Sequence, residues 1–179
     1  YQVAGDESEF SILQRMADLM VRVGGQEGLD RSGELVFRPA YEVLVVASMI
    51  EREAKVDADR AKIARVIYNR LACTLPACKS EYIQGRLQMD STINYAQNSS
   101  DLNLSAEELG ADGPYNTHKN KGLPPTPINN PGAAAIEAAL NPADGDWLYF
   151  VSDRSFTKFS DTFEEQKEAE QKWRESTGQ

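Results

Sequence analysis

Histidine is almost missing from this sequence: His118 is the only one in 179 residues. A zinc centre of the usual nitrogen and sulfur type needs three or four such ligands. The two cysteines, Cys73 and Cys78, stand too far apart for a CxxC pair. A serine–histidine–aspartate system would have to recruit His118 from a Pro-rich stretch, where a base is poorly held against its nucleophile. No apolar run approaches the roughly 18 residues of a membrane span. The opening Tyr1-Gln2-Val3 carries no secretion leader and reads as the start of a piece of a longer protein. Basic residues are in deficit, 19 Lys and Arg against 28 Asp and Glu, for a net charge of −9. An acidic surface argues against nucleic acid or an anionic membrane face as the main partner. The GxSxG, P-loop, Rossmann and HExxH patterns are all lacking.

What is present is ordinary globular material, 41% hydrophobic and 26% charged, at a length suited to one domain. Its most unusual stretch is Tyr41 to Lys55, YEVLVVASMIEREAK. Eight residues from Val43 to Ile50 carry no charge and lead straight into Glu51. Pro39 suits a helix start, and EREAK is built from good helix formers. The whole is too long for a typical strand. A helix apolar on every side belongs at the centre of a fold. Glu51 stands where that helix leaves the core, and Ser48, Ala47 and Leu44 share its face. A carboxyl at the mouth of an apolar site is suited to general-acid work, because desolvation disfavours its charged form. The alternative is a solvated surface turn, since Arg52, Glu53 and Lys55 follow. Glu53 points about 200° round the helix from Glu51, so one cleft takes only one of them.

Elsewhere, Ser8 to Val23 has helical apolar spacing closed by Gly24-Gly25, and 26–38 reads as loop. Asp57 caps a second helix over Ala58 to Leu71. Cys73 to Glu81 is a loop that a local disulfide between Cys73 and Cys78 would clip, as in an exported protein, unless both thiols are free. Tyr82 to Ala96 reads as mixed extended and turn structure. Ser105 to Glu108 resembles a capped helix start. Gly110 to Asn130 is one long Gly- and Pro-punctuated loop, followed by an Ala-rich helix to Leu140 with Asn130 as cap. WLYFV at 147–151 is a strand, with a second at 155–159, and Thr162-Phe163-Glu164-Glu165 opens a final charged helix. The fold class is α+β, mainly helical around a buried central helix, with a small antiparallel sheet.

Carboxylates are the remaining route to acid–base chemistry, with Glu51, Glu53 and Asp90 as candidates. Asp90 lies in the polar run Gln88-Met89-Asp90-Ser91-Thr92 that ends at Tyr95, where it serves equally as a turn or cap residue. Tyr115-Asn116-Thr117 suits either a sugar site or a loop anchor.

Several stretches, taken together, resemble one family. ASMIERE at 47–53, ARVIYNRL at 64–71, RLQMDSTINYA at 86–96, YNTHKNKGLPPTPINNPGAAAIEAALNP at 115–142 and WLYFVSD at 147–153 look like the catalytic domain of the endolytic murein transglycosylases, the YceG-like proteins. The likeness covers roughly 41–166, and residues 1–40 look like the tail of a preceding LysM-like region with its connecting helix. It implies an extracytoplasmic domain of a bacterial inner-membrane protein, held by an N-terminal anchor absent from this chain. It implies cleavage of the β-1,4 bond between N-acetylmuramic acid and N-acetylglucosamine, leaving a 1,6-anhydro end, on nascent glycan strands. No cofactor or metal is implied. Peptidoglycan strands and cell-wall synthases are the implied partners. The family's glutamate falls on Glu51, with Ser48, Gln88, Asp90, Thr92, Tyr95, Tyr115, Asn116 and Thr117 as substrate-binding candidates. Thr126 stands where the family usually has Gly, and Gln166 where a histidine is common; the Cys73–Cys78 segment looks like an insertion. A glycan-binding or scaffold domain without turnover is the competing reading.

Overall fold

The computed structural model describes residues 3, 5–79, 82–99, 104–152 and 157–177. Its centre is the apolar stretch, which forms helix α3 (Ala40–Glu53) with Pro39 as N-cap in extended conformation. Val43 and every residue from Val45 to Ile50 are buried. Only Leu44 within Val43–Ile50 is partly exposed, so the apolar run is enclosed on almost every face. Helix α1 (Glu9–Glu27) precedes it, and α2 (Ser32–Leu35) forms a single turn on the way. Helix α4 (Arg60–Ala72) follows after a 3₁₀ turn over Asp57–Asp59. Later come α5 (Asp90–Gln97), α6 (Ala106–Gly110) and α7 (Ala133–Leu140). Strands β1 (Tyr149–Ser152) and β2 (Thr157–Ser160) pair antiparallel, with Phe150 opposite Phe159, and α8 (Phe163–Thr177) closes the chain. The protein is therefore α+β, mainly helical, with one two-stranded antiparallel sheet among the described residues.

One apolar core joins α3, α4 and α7 through Val46, Ile50, Ile63, Ile67, Ile136 and Leu140. Met20, Leu29 and Val36 pack against it from the N-terminal part. A smaller cluster of Cys78, Ile83, Leu148 and Tyr149 joins the cysteine loop to the sheet. Cys73 and Cys78 are disulfide-bonded with their Cα atoms 5.2 Å apart. Cys73 caps α4 in left-handed conformation, at φ 48°.

Several boundaries differ from expectation for local reasons. Helix α1 runs through Gly24-Gly25 and stops at Gly28, which takes the left-handed cap conformation at φ 88°. Gly24 is buried against Leu29, so this glycine serves close packing. Residues 26–38 hold a 3₁₀ turn and α2 besides loop. Helix α7 begins from Gly132 with no side-chain cap, so Asn130 does not cap it. The largest departure is α5, a helix in the stretch that reads as extended and turn; its cap, Met89, provides no side-chain signal. The capping box of α6 is complete, Ser105 and Glu108 each bonding the other's backbone N–H. Residues 155 and 156 of the expected second strand lie outside the described residues.

Ser48 sits inside the core, and no solvent reaches it. Its hydroxyl donates to the Val45 carbonyl at 2.7 Å and accepts from the Ile128 backbone N–H at 2.9 Å. It thus fastens the long loop to the central helix rather than lining a site. Ser48→Ala leaves the Ile128 N–H unpaired in a dry place, and urea denaturation should show a loss of about 1–3 kcal/mol.

Candidate active site

Helix α3 ends on Glu53 and α5 begins on Asp90, and the two ends meet. Ser91 Oγ donates to Glu53 Oε1 at 2.5 Å. Burial pushes the Glu53 carboxyl above its ordinary value of 4.5. The Ser91 hydroxyl pulls it down, the Asp90 charge pushes it up again, and Lys55 pulls down. Burial prevails because two hydrogen bonds and one cation do not replace the water a carboxylate loses. Glu53 lines a cleft of about 520 Å³ with Lys55, Gln88, Asp90 and His118 on one side. Phe150, Phe163, Gln166 and Trp173, from β1 and α8, line the other. This is a carboxyl that favours its proton, beside polar and aromatic groups, in a cleft large enough for a sugar unit.

Glu51 lies on another face of α3 and does not line this cleft. Its Oε2 accepts from Arg60 Nη1 and from the Gly132 backbone N–H, both at 3.2 Å. Its side chain is 30% exposed. A Cβ on residue 132 would sit 3.5 Å from that oxygen, so the glycine lets the α7 start come close. Glu51 therefore ties α3, α4 and α7 together, and the carboxyl that lines this cleft is Glu53, two residues on. The half-turn between them is why only one faces the cleft.

The other expected site residues divide. Gln88 lines the cleft, accepting from Arg70 Nη1 at 3.2 Å and donating from Nε2 to the Tyr82 carbonyl at 2.9 Å. Asp90 lines it too, with Oδ1 2.8 Å from His118 Nε2. Thr92 and Thr117 are buried and 3.0 Å apart, and Thr117 Oγ1 also accepts from the Met89 N–H. They stitch the loop to the start of α5. Asn116 is buried and donates to the Leu109 and Ala111 carbonyls, an anchor for the loop. Tyr95 and Tyr115 pack ring on ring at 5.2 Å, outside the cleft lining. The Tyr115 hydroxyl meets Thr126 Oγ1 at 2.8 Å, so the threonine in the loop gives that tyrosine a partner. Gln166 lines the cleft and holds α8 to β1, its Nε2 donating to the Phe150 carbonyl and to Glu170. Ser48, Thr92, Asn116 and Thr117 share one feature. Each is a short polar side chain whose hydrogen bonds are spent on backbone or on another hydroxyl inside the fold.

Sequence reasoning passed over Ser91, His118 and Arg70. Arg70 is a buried cation on the apolar face of α4. It donates to the Leu87 and Leu148 carbonyls, and its guanidinium lies 5.0 Å over the Tyr149 ring. Burial draws its pKa down to about 10. It fixes the backbone just before Gln88, which holds a left-handed φ of 54°. The only signal in the sequence was an arginine at a position with core spacing. Among the described residues no group of histidine, cysteine or carboxylate side chains suits a metal ion.

With this geometry in hand, known proteins offer close parallels. A model of the YceG-like family matches residues 1–172. An endolytic murein transglycosylase of Bacillus subtilis is 40% identical over 134 residues, 74% of this chain and 34% of that protein. An endolytic murein transglycosylase of Streptococcus pneumoniae serotype 2 is 39% identical over 117 residues, 63% of this chain and 19% of its own length. The crystal structure of a YceG-like protein from Listeria monocytogenes superposes with a TM-score of 0.80 at 34% identity, covering 94% of this chain and 52% of the other. The matched stretches span about a third of the first transglycosylase and about a fifth of the second.

The raised Glu53 has a consequence for stability. The folded chain holds that proton more tightly than the unfolded chain does, so the contribution to stability falls as pH rises from about 4.5 through the folded value. Glu53→Gln removes this penalty. Thermal melts should show the variant more stable than the parent above that window and equal to it below pH 4.5; a less stable variant at neutral pH would identify a structural carboxylate instead.

Proposed function

This chain belongs to the YceG-like family, and on that premise we propose that it is the catalytic part of an endolytic murein transglycosylase, with Glu53 as its acid and base. The observation that carries the assignment is the Glu53 carboxyl itself, pushed toward its protonated form by burial and facing the cleft. The substrate is a glycan strand of peptidoglycan, cut between N-acetylmuramic acid and N-acetylglucosamine. Glu53 gives its proton to the bridging oxygen as the bond from that oxygen to C1 breaks. The carboxylate left behind takes the proton of the muramyl C6 hydroxyl, whose oxygen closes on C1 to form the 1,6-anhydro ring. No water enters, so no second carboxylate is needed to activate one, unlike the pair in a hydrolase. Asp90 and Gln88, both in the cleft lining, support the positive charge that develops at the sugar ring. Phe150 and Trp173 give the cleft an apolar aromatic wall against which a sugar packs. In the whole protein, action on nascent strands, a membrane anchor ahead of residue 1, a LysM-like region and cell-wall synthase partners complete the reading, with the domain outside the cytoplasm. The chain itself has no helix long and apolar enough to cross a membrane among the described residues.

Soluble glycan strands digested with the protein and analysed by mass should show new anhydro ends. Glu53→Gln should lower that rate by about 10²–10⁴-fold. Glu51→Gln should keep most of the rate and lose about 1 kcal/mol of stability, as befits its pair with Arg60. Reducing ends in place of anhydro ends would mark a hydrolase. Strand binding without shortening would mark a scaffold domain, and an active Glu53→Gln would return the role to another group.

A further inference from the structure

His118 takes no part in the steps above, yet it lines the cleft and touches the residue next to Ser91. Its Nε2 lies 2.8 Å from Asp90 Oδ1. Its backbone N–H donates to Asn116 Oδ1 at 2.9 Å, and Asn116 is itself buried and bonded to two carbonyls. The imidazole is thus mounted on a braced loop. Asp90 opens α5, and the next residue, Ser91, holds Glu53. Tension on the Asp90 side chain reaches the Ser91–Glu53 contact across one peptide.

The charges around this point leave His118 and Asp90 to each other. Lys55 and Asp90 act on Glu53 in opposite senses. Arg70 is committed to the carbonyls of Leu87 and Leu148 and to Gln88. Glu170 accepts from Gln166, and Lys119, beside His118 in the chain, is paired with Asp112.

We propose that His118 is a positioning residue for this cleft, which by binding Asp90 seats the start of α5 on Glu53 and moderates the negative charge Asp90 turns toward that carboxyl. The inference rests on the reading of Glu53 as the proton donor. An imidazole N–H on a carboxylate draws off part of its charge, and a protonated imidazole draws off more. Removing the ring leaves the whole Asp90 charge to act on Glu53, which then keeps its proton to higher pH. Removing the Asp90 charge has the opposite effect.

The Glu53 carboxyl carbon, labelled with ¹³C and followed by NMR through a pH titration, reads this directly. The wild type, His118→Phe, His118→Gln and Asp90→Asn are compared after thermal melts establish native folding; His118→Ala replaces His118→Phe should the phenyl ring not be accommodated. The Glu53 midpoint should rise by about half a unit or more in His118→Phe, fall by a similar amount in Asp90→Asn, and stay near wild type in His118→Gln, which keeps a donor for Asp90. The alkaline limb of glycan cleavage should follow the same order. In His118→Phe kcat should fall about tenfold with KM little changed, the signature of lost orientation. A Glu53 midpoint that is unchanged or lowered in folded His118→Phe overturns the proposal, as does an unchanged midpoint in Asp90→Asn. If the midpoints move as stated while Glu53→Gln still cleaves glycan, the link from His118 to Glu53 stands and the reading of Glu53 as proton donor falls.

Discussion

The complete burial of α3 between Val45 and Ile50 is the constraint from which the rest follows. A helix that meets protein on every side must be enclosed by other elements, and α4 and α7 supply most of that enclosure. Six consecutive buried residues leave little freedom in where α3 ends. Its last residues emerge in fixed directions, Glu51 toward α4 and α7 and Glu53 toward α5. The chemistry of each carboxylate is then set by what waits for it. Glu51 finds a guanidinium and a backbone N–H, which tie it to α4 and to the start of α7. Glu53 finds a hydroxyl, little water and a neighbouring negative charge, which favour the neutral form.

The polar side chains around the cleft form a frame more than a binding surface. Ser48, Thr92 and Thr117 spend their hydrogen bonds holding the long 110–130 loop against α3 and α5, and Asn116 ties it to the end of α6. Arg70 braces the cleft from the other side, bridging the backbone at Leu87 to that at Leu148. A buried cation is costly unless its donors are used, and here it is also covered by the Tyr149 ring. A loop braced at so many points behaves as part of the scaffold. That is what a site needs if it is to hold a strand and a proton donor in register.

Much of this was readable in the order of residues. The apolar run from Val43 to Ile50 announced a central helix, the Ser105–Glu108 box announced α6, and the Pro- and Gly-punctuated stretch announced the long loop. The ordered motifs shared with the murein transglycosylases carried the family. Helix α5 was not readable, because Met89 caps it without a side-chain bond and its eight residues mix polar and apolar types. The choice between Glu51 and Glu53 was not readable either. Both follow the same apolar run, and periodicity says only that they face different ways.

The sequence by itself determined that one helix must be buried, that its exit carries two glutamates facing apart, and that neither a zinc site nor a serine–histidine pair is a natural reading. These follow from composition and spacing, which act along the chain. Only the tertiary structure decided which glutamate meets the cleft. That depends on Arg60, Gly132, Asp90 and Ser91, residues 9 to 81 positions away that reach α3 through packing. Desolvation and charge act through space, so the proton a carboxyl holds is a property of its neighbours in the fold and not of its neighbours in the chain.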